Sequence, residues 1–175
     1  MKIYSARTEA ETAAAAKLMI GLVESNKERY PQQLEMLETY YRDAWFFDPA
    51  PKLPEAYQPP RGDVLVAYID TIPVGTVALG RMDDTYCELR SMFVPPARRG
   101  EGIATALCRE ALDVARGYGY KAVRLTTGEK QPEAQRLYQK LGFSAVAPWD
   151  SDPSSILCYF EKALDSNPSF FVFPS

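Results

Sequence analysis

The chain contains no histidine. That excludes every Ser-His and Cys-His catalytic pairing and removes the commonest metal ligand. Proton transfer must then fall to carboxylates, Tyr, Lys, Cys or water, and no metal site is expected. Cysteine is scarce too: only Cys87, Cys108 and Cys158 occur. An odd count at wide spacing makes neither a disulfide framework nor a zinc pattern. With no histidine to activate them, the three read as core thiols in a reducing compartment. No apolar run approaches the roughly 18 residues of a membrane span, and no signal-peptide pattern opens the chain, so a cytoplasmic protein with no membrane partner is expected. Excess positive charge is also lacking. Lys and Arg number 20 against 23 Asp and Glu, a net charge of −3. That balance argues against a nucleic-acid partner.

What is present is a mixed pattern over 175 residues, 46% of them apolar. One domain over residues 1–164 is expected, followed by a tail at 165–175. Lys2 to Arg7 reads as a strand, and Thr8 with Glu11 forms a capping box that opens a helix. A second helix is expected from Pro31 to about Asp43, then a loop from Pro49 to Pro60 with five prolines in twelve residues. Val64–Asp70 and Val74–Arg81 read as a hairpin turning at Thr71–Pro73, and Tyr86–Val94 as a strand stopped by Pro95. A helix from Gly102, a strand at Val123–Thr127, a helix with Pro132 at its first position and Gly142 past its end, and a strand at Ile156–Phe160 complete the order. This is an α/β chain of the α+β type with an antiparallel first half. The helix from Gly102 should act as a crossover between two parallel strands.

The most informative segment is Arg98-Arg99-Gly100-Glu101-Gly102-Ile103-Ala104-Thr105, between a strand and a helix. Glycines let the backbone turn tightly and approach a ligand. The first turn of a helix presents unpaired N–H groups and a positive dipole end, and two arginines strengthen an anion site there. The expected ligand carries phosphate or pyrophosphate. No Gly-Lys-Ser/Thr follows, so the site is not a Walker loop. Thr105 stands where a dinucleotide fingerprint needs a third small residue.

Three segments together resemble the GNAT acetyltransferase superfamily. Arg99, Gly102 and Ala104 match its Arg/Gln-x-x-Gly-x-Gly/Ala turn. The preceding strand, Glu88-Leu89-Arg90-Ser91-Met92-Phe93-Val94, and the later helix, Gln131, Ala134 and Leu137-Tyr138-Gln139-Lys140-Leu141-Gly142-Phe143, match its flanking motifs. The resemblance covers about Val64 to Leu164 well, and the first sixty or so residues only in layout. It departs at Ser91, usually basic, and at Gln131, usually Asn. It implies a mixed, mostly antiparallel sheet of about six to seven strands flanked by about four helices. It also implies acetyl-CoA as co-substrate. The backbone of Arg99, Gly100, Glu101, Gly102, Ile103, Ala104 and Thr105, with Arg98 beside it, would cradle the pyrophosphate. Backbone groups of Met92, Phe93 and Val94 would pair with the pantetheine arm where two strands splay, Gln131 would contact the cofactor, and Lys140 would lie toward its nucleotide end.

Acetyl transfer to an amine needs a deprotonated nitrogen, a held carbonyl and a protonated leaving thiolate. Tyr138 is the candidate general acid, its alternative being a packed core ring. Glu88 is the candidate base on an otherwise apolar strand, its alternative being a surface pair with Arg90. Strand alternation predicts Glu88, Arg90 and Met92 on one face, with Leu89, Ser91 and Phe93 on the other. Trp149 and Asp150 are candidates for the border of the acceptor site. The expected activity is N-acetyl transfer to a primary amine of a small molecule. The competing readings are a non-catalytic acyl-CoA-binding module and an acetyltransferase of protein or peptide amines. The tail, with Phe170, Phe171, Val172 and Phe173 in a row, is expected to dock on its own domain or in a homodimer contact.

Overall fold

Thr8 ends one element and starts another. Its Oγ accepts from the Glu11 N–H at 3.2 Å, and the Glu11 carboxylate accepts from the Thr8 N–H at 2.9 Å. This reciprocal cap closes β1 (Lys2–Ser5) and opens α1 (Glu9–Arg29). The computed structural model describes residues 1–150 and 156–165. After α1 come α2 (Leu34–Tyr41), β2 (Asp63–Ile69), β3 (Ile72–Arg81), β4 (Tyr86–Phe93), α3 (Ile103–Gly117), β5 (Ala122–Gly128), α4 (Pro132–Lys140), β6 (Ser144–Ala145) and β7 (Leu157–Ala163). They form a seven-stranded sheet in the order β1-β2-β3-β4-β5-β7-β6. Every pairing is antiparallel except β4 with β5, which the α3 crossover makes parallel.

Two apolar clusters sandwich this sheet. On one face, α3 and α4 bury Ile103, Leu107, Ala111 and Tyr138 against Leu79, Leu89, Val123 and Phe160. On the other, α1 lays Ala15, Met19 and Val23 over Val64, Val66, Ala78 and Phe93. Close approach fixes both layers. A Cβ on Gly75 would come within 2.9 Å of Ile103 and Leu107, and one on Gly21 within 2.8 Å of Phe93. Asp63, buried at the start of β2, ties β1, β2 and α3. It takes a two-pronged contact from Arg7 at 2.8 and 2.7 Å and hydroxyl bonds from Ser5 and Tyr118, each 3.0 Å.

Several expectations are corrected. The first strand stops at Ser5, because Arg7 already serves the cap and Asp63. The second helix is shorter than Pro31–Asp43, starting at Leu34, and β3 starts at Ile72, with the turn at Asp70 and Thr71. The last strand runs to Ala163, and the two-residue β6 was not anticipated. The face assignment of β4 is also overturned. Ala78 pairs with Arg90 and Thr76 with Phe93, so β4 carries one residue more than β3 between these pairs. Ser91 sits in this bulge at φ 52°. The extra residue reverses the alternation, so Met92 packs with the Leu89 cluster and Phe93 with the α1 cluster. Among the described residues no helix is long and apolar enough to cross a membrane. The docking segment at 166–175 lies outside the described residues.

Candidate active site

β4 and β5 pair only from Tyr86 with Ala122 to Leu89 with Leu125. Past that point β4 keeps its bond to β3 and β5 its bond to β7, so their facing edges part at Arg90 and Thr126. The parting opens a cleft of about 1110 Å³ through the sheet. That exceeds the usual volume of a compact ligand site, roughly 300–1,000 Å³, and suits a long ligand meeting a second one.

One wall is the turn into α3. Gly100 and Gly102 hold φ 86° and 77°, and a Cβ on either would meet nothing within 4 Å. The left-handed backbone there favours glycine, and the space beside it is open. Gly102 is the N-cap of α3 with no side-chain cap bond, so the first N–H groups of the helix are available to an anion. Arg98, Arg99, Gly100, Gly102, Ile103, Ala104 and Thr105 all line the cleft. The Arg99 Nε donates to the Val94 carbonyl at 3.3 Å, which fixes the side chain across the turn. Glu101 does not line the cleft; its carboxylate lies 3.5 Å from Arg98.

Tyr138 is 6% exposed, stacked edge-on against Phe143 at 5.8 Å, and it lines the cleft. Its hydroxyl makes no hydrogen bond among the described residues, yet it is not a fully enclosed orphan. Burial, with a smaller contribution from Cys108, pushes the phenol well above its ordinary pKa. Gln131 lines the cleft but is largely occupied. Its Oε1 accepts from the Thr127 hydroxyl at 2.8 Å and the Gly128 N–H at 3.0 Å, and its Nε2 donates to Asn26 at 2.9 Å. Lys140, exposed at the end of α4, does not line the cleft. Cys87 and Cys108 are buried, and burial pushes both thiols up to about 12. That is far from a reactive thiolate.

The opposite side of the cleft carries a polar cluster. The Glu88 carboxylate lies 3.0 Å from the Arg90 Nε. Burial raises the Glu88 pKa, Arg90 opposes the shift, and Asp150 reinforces it. Asp150 lines the cleft and accepts from the Tyr159 hydroxyl at 2.5 Å. Trp149 instead packs edge-on to Tyr159 at 4.7 Å, outside the lining. Tyr40 of α2 and Tyr57 reach toward Arg90.

The Acetyltransferase (GNAT) family profile matches residues 23–143, more than half of the chain. The chain belongs to this family. Among curated proteins it is similar to the human N-acetylaspartate synthetase, 35% identical over 123 residues, which are 70% of this chain and 41% of that protein. An uncharacterised N-acetyltransferase of Mycobacterium tuberculosis is 38% identical over 84 residues, covering 48% of this chain and 54% of that one. The chain thus spans about half or less of the length of these relatives. Among solved structures, a putative acyl-CoA N-acyltransferase of Klebsiella pneumoniae superposes with TM-score 0.68 at 20% identity over 94% of this chain and 97% of that one. The yncA putative acetyltransferase of Salmonella typhimurium, solved with its cofactor acetyl-CoA, gives 0.66 at 22% identity over 97% and 96%. At these identities the likeness is one of fold.

In this GNAT chain the cleft gathers Glu88, Met92, Phe93, Val94, the α3 turn, Gln131 and Tyr138, and leaves Glu101 and Lys140 outside. Neither Tyr57, in the proline-rich loop, nor Tyr40, on α2, is singled out by the sequence. Tyr40 is exposed and Tyr57 partly buried, and tyrosines in such short or irregular elements carry no spacing signal; only the fold turns them toward Arg90.

Proposed function

We propose that this protein transfers an acetyl group from acetyl-CoA to a primary amine of a small molecule. The observation that carries this reading is the Tyr138 hydroxyl, unpartnered in the cleft where β4 and β5 part, a cleft that the open Gly100–Gly102 turn also lines. The turn fits a pyrophosphate, because its two left-handed glycines leave open space against a helix N-terminus. The parted edges of β4 and β5 offer unpaired strand backbone to an amide-bearing arm. The N-acetylaspartate synthetase name denotes an N-acetylated product, which supports an amine nitrogen as acceptor.

Acetyl-CoA, when bound, supplies an acyl thioester. Arg98, Arg99 and the α3 N-terminus hold its anionic part. Glu88 takes the proton of the incoming ammonium, directly or through water, and passes it to solvent; its raised pKa improves it as a base over an ordinary carboxylate. Tyr138 gives its phenolic proton to the departing sulfur and recovers one from the nitrogen as the amide bond forms. One C–N bond forms, one C–S bond breaks, and the net product of protons is one. The test is thiol release from acetyl-CoA with a panel of amines, with the N-acetyl product identified by mass. Tight acetyl-CoA binding with no turnover on any amine would instead establish a binding module.

A further inference from the structure

The acceptor side of the cleft has a charge arrangement that selects among amines. The Arg90 Nε is taken by Glu88 at 3.0 Å, which leaves the Nη1–Nη2 edge of the guanidinium. Its two neighbours there are Tyr57 Oη at 3.4 Å and Tyr40 Oη at 3.5 Å. Both are longer than a well-made bond of about 2.7–3.2 Å. This edge therefore offers parallel donors and two flanking hydroxyls with little committed to them, in the fork geometry that grips a carboxylate. The Tyr57 ring is held in place by Gly80, where a Cβ would come within 3.0 Å of it.

Other cations of the cleft are engaged elsewhere. Arg29 pairs with Glu133 at 2.7 Å and donates to the Lys130 carbonyl at 2.6 Å. Arg98 and Arg99 belong to the α3 turn. The remaining charged lining residues are acidic: Asp43, Glu88 and Asp150. Beyond Tyr40 runs a chain of rings, Tyr40 on Tyr41 at 4.8 Å, Tyr41 on Phe46 at 6.2 Å and Trp45 on Phe46 at 5.7 Å, all lining the cleft.

We infer that the acceptor is a zwitterion: an α-amino acid, or a like amino carboxylate, with an apolar or aromatic body and no second acidic group. Arg90, Tyr40 and Tyr57 take its carboxylate, Glu88 and Asp150 face its ammonium, and the ring chain takes its side chain. The ligand replaces the Glu88–Arg90 pair with two pairs of its own. Among the described residues that line the cleft, a second carboxylate finds no spare cation and meets Asp43 and Asp150 instead.

This inference rests on the transferase reading, and the experiment separates the two. The wild-type protein is assayed with L-phenylalanine, L-leucine and L-methionine, with phenethylamine and isoamylamine as carboxylate-free counterparts, and with L-aspartate. The expected kcat/KM for the apolar amino acids exceeds both the carboxylate-free amines and aspartate by about tenfold or more. In Arg90→Gln the amino-acid KM rises roughly 10- to 100-fold, the worth of a charge-assisted pair. Acetyl-CoA affinity stays within about threefold, and because Arg90 also pairs with Glu88, the loss of kcat/KM is read as the ratio of the amino acids to phenethylamine, which falls about tenfold or more. Carboxylate-free amines or aspartate performing as well as the apolar amino acids in the wild type would overturn the inference, whatever the variant does. If no amine is acetylated, calorimetry of the same amino acids with coenzyme A present decides. Binding lost in Arg90→Gln upholds the site and refutes transfer; absence of binding overturns the inference.

Discussion

Replacing Tyr138 by Phe removes one oxygen and keeps the ring against Phe143 and Phe160. A typical intramolecular hydrogen bond contributes about 0.5–1.5 kcal/mol net to stability. Here none is lost, because the hydroxyl has no partner among the described residues. The expected change in stability is within about 0.5 kcal/mol, a shift in Tm of roughly 1–2 °C for a domain of this size. The rate responds quite differently. General acid catalysis contributes about 10²–10⁴-fold. A phenol whose pKa burial has raised is a weaker acid, which places Tyr138 toward the lower end. We expect kcat to fall roughly 10- to 1000-fold, or about 1.4–4 kcal/mol of barrier, with acetyl-CoA affinity unchanged. Thermal melts, thiol release at saturating substrates and calorimetry give the three readings. A variant within twofold of wild-type kcat would refute the acid role. A Tm loss above about 4 °C with proportionate loss of activity would show that the hydroxyl is structural.

Glu88→Gln tests the base. Burial lifts the Glu88 pKa above the 4.5 of a free side chain, so the acid limb of kcat/KM should lie above that pH in the wild type and vanish in the variant. A wild-type profile scaled down by a constant factor would point to acceptor binding instead. Gly102→Val puts a branched side chain at φ 77° into open cleft space. Acetyl-CoA affinity should drop about tenfold or more in calorimetry on a variant with native circular dichroism. Asp63→Ala deletes the acceptor of Arg7, Ser5 and Tyr118 together. Because Arg7 keeps access to water, we expect a loss of about 2–4 kcal/mol in urea unfolding rather than the full cost of a stranded charge.

The parts of this protein legible in its residues are those whose cause is local. Thr8 and Glu11 form their cap within four positions, Gly102 and Gly142 take the left-handed backbone that their surroundings require, and Pro132 opens α4. The turn at Arg98 to Thr105 needs only its own backbone to leave the α3 N-terminus uncapped and open, and the α3 crossover forces β4 and β5 to run parallel. Because these follow from dihedral preference, capping and connection length, the family resemblance and the sheet could be read in advance. What the tertiary structure decided depends on partners far apart in the chain. The bulge at Ser91 arises from the register of β4 on β3, and it alone moves Met92 and Phe93 to faces opposite to those that alternation predicts. Gln131 is drawn into bonds with Asn26, 105 positions away. Arg90 meets Tyr40 and Tyr57 across 50 and 33 positions. No pattern of spacing encodes such meetings, since each depends on how three layers pack. The turn proposed to take the acetyl donor is therefore written locally, and the cluster proposed to take the acceptor is assembled by the packing.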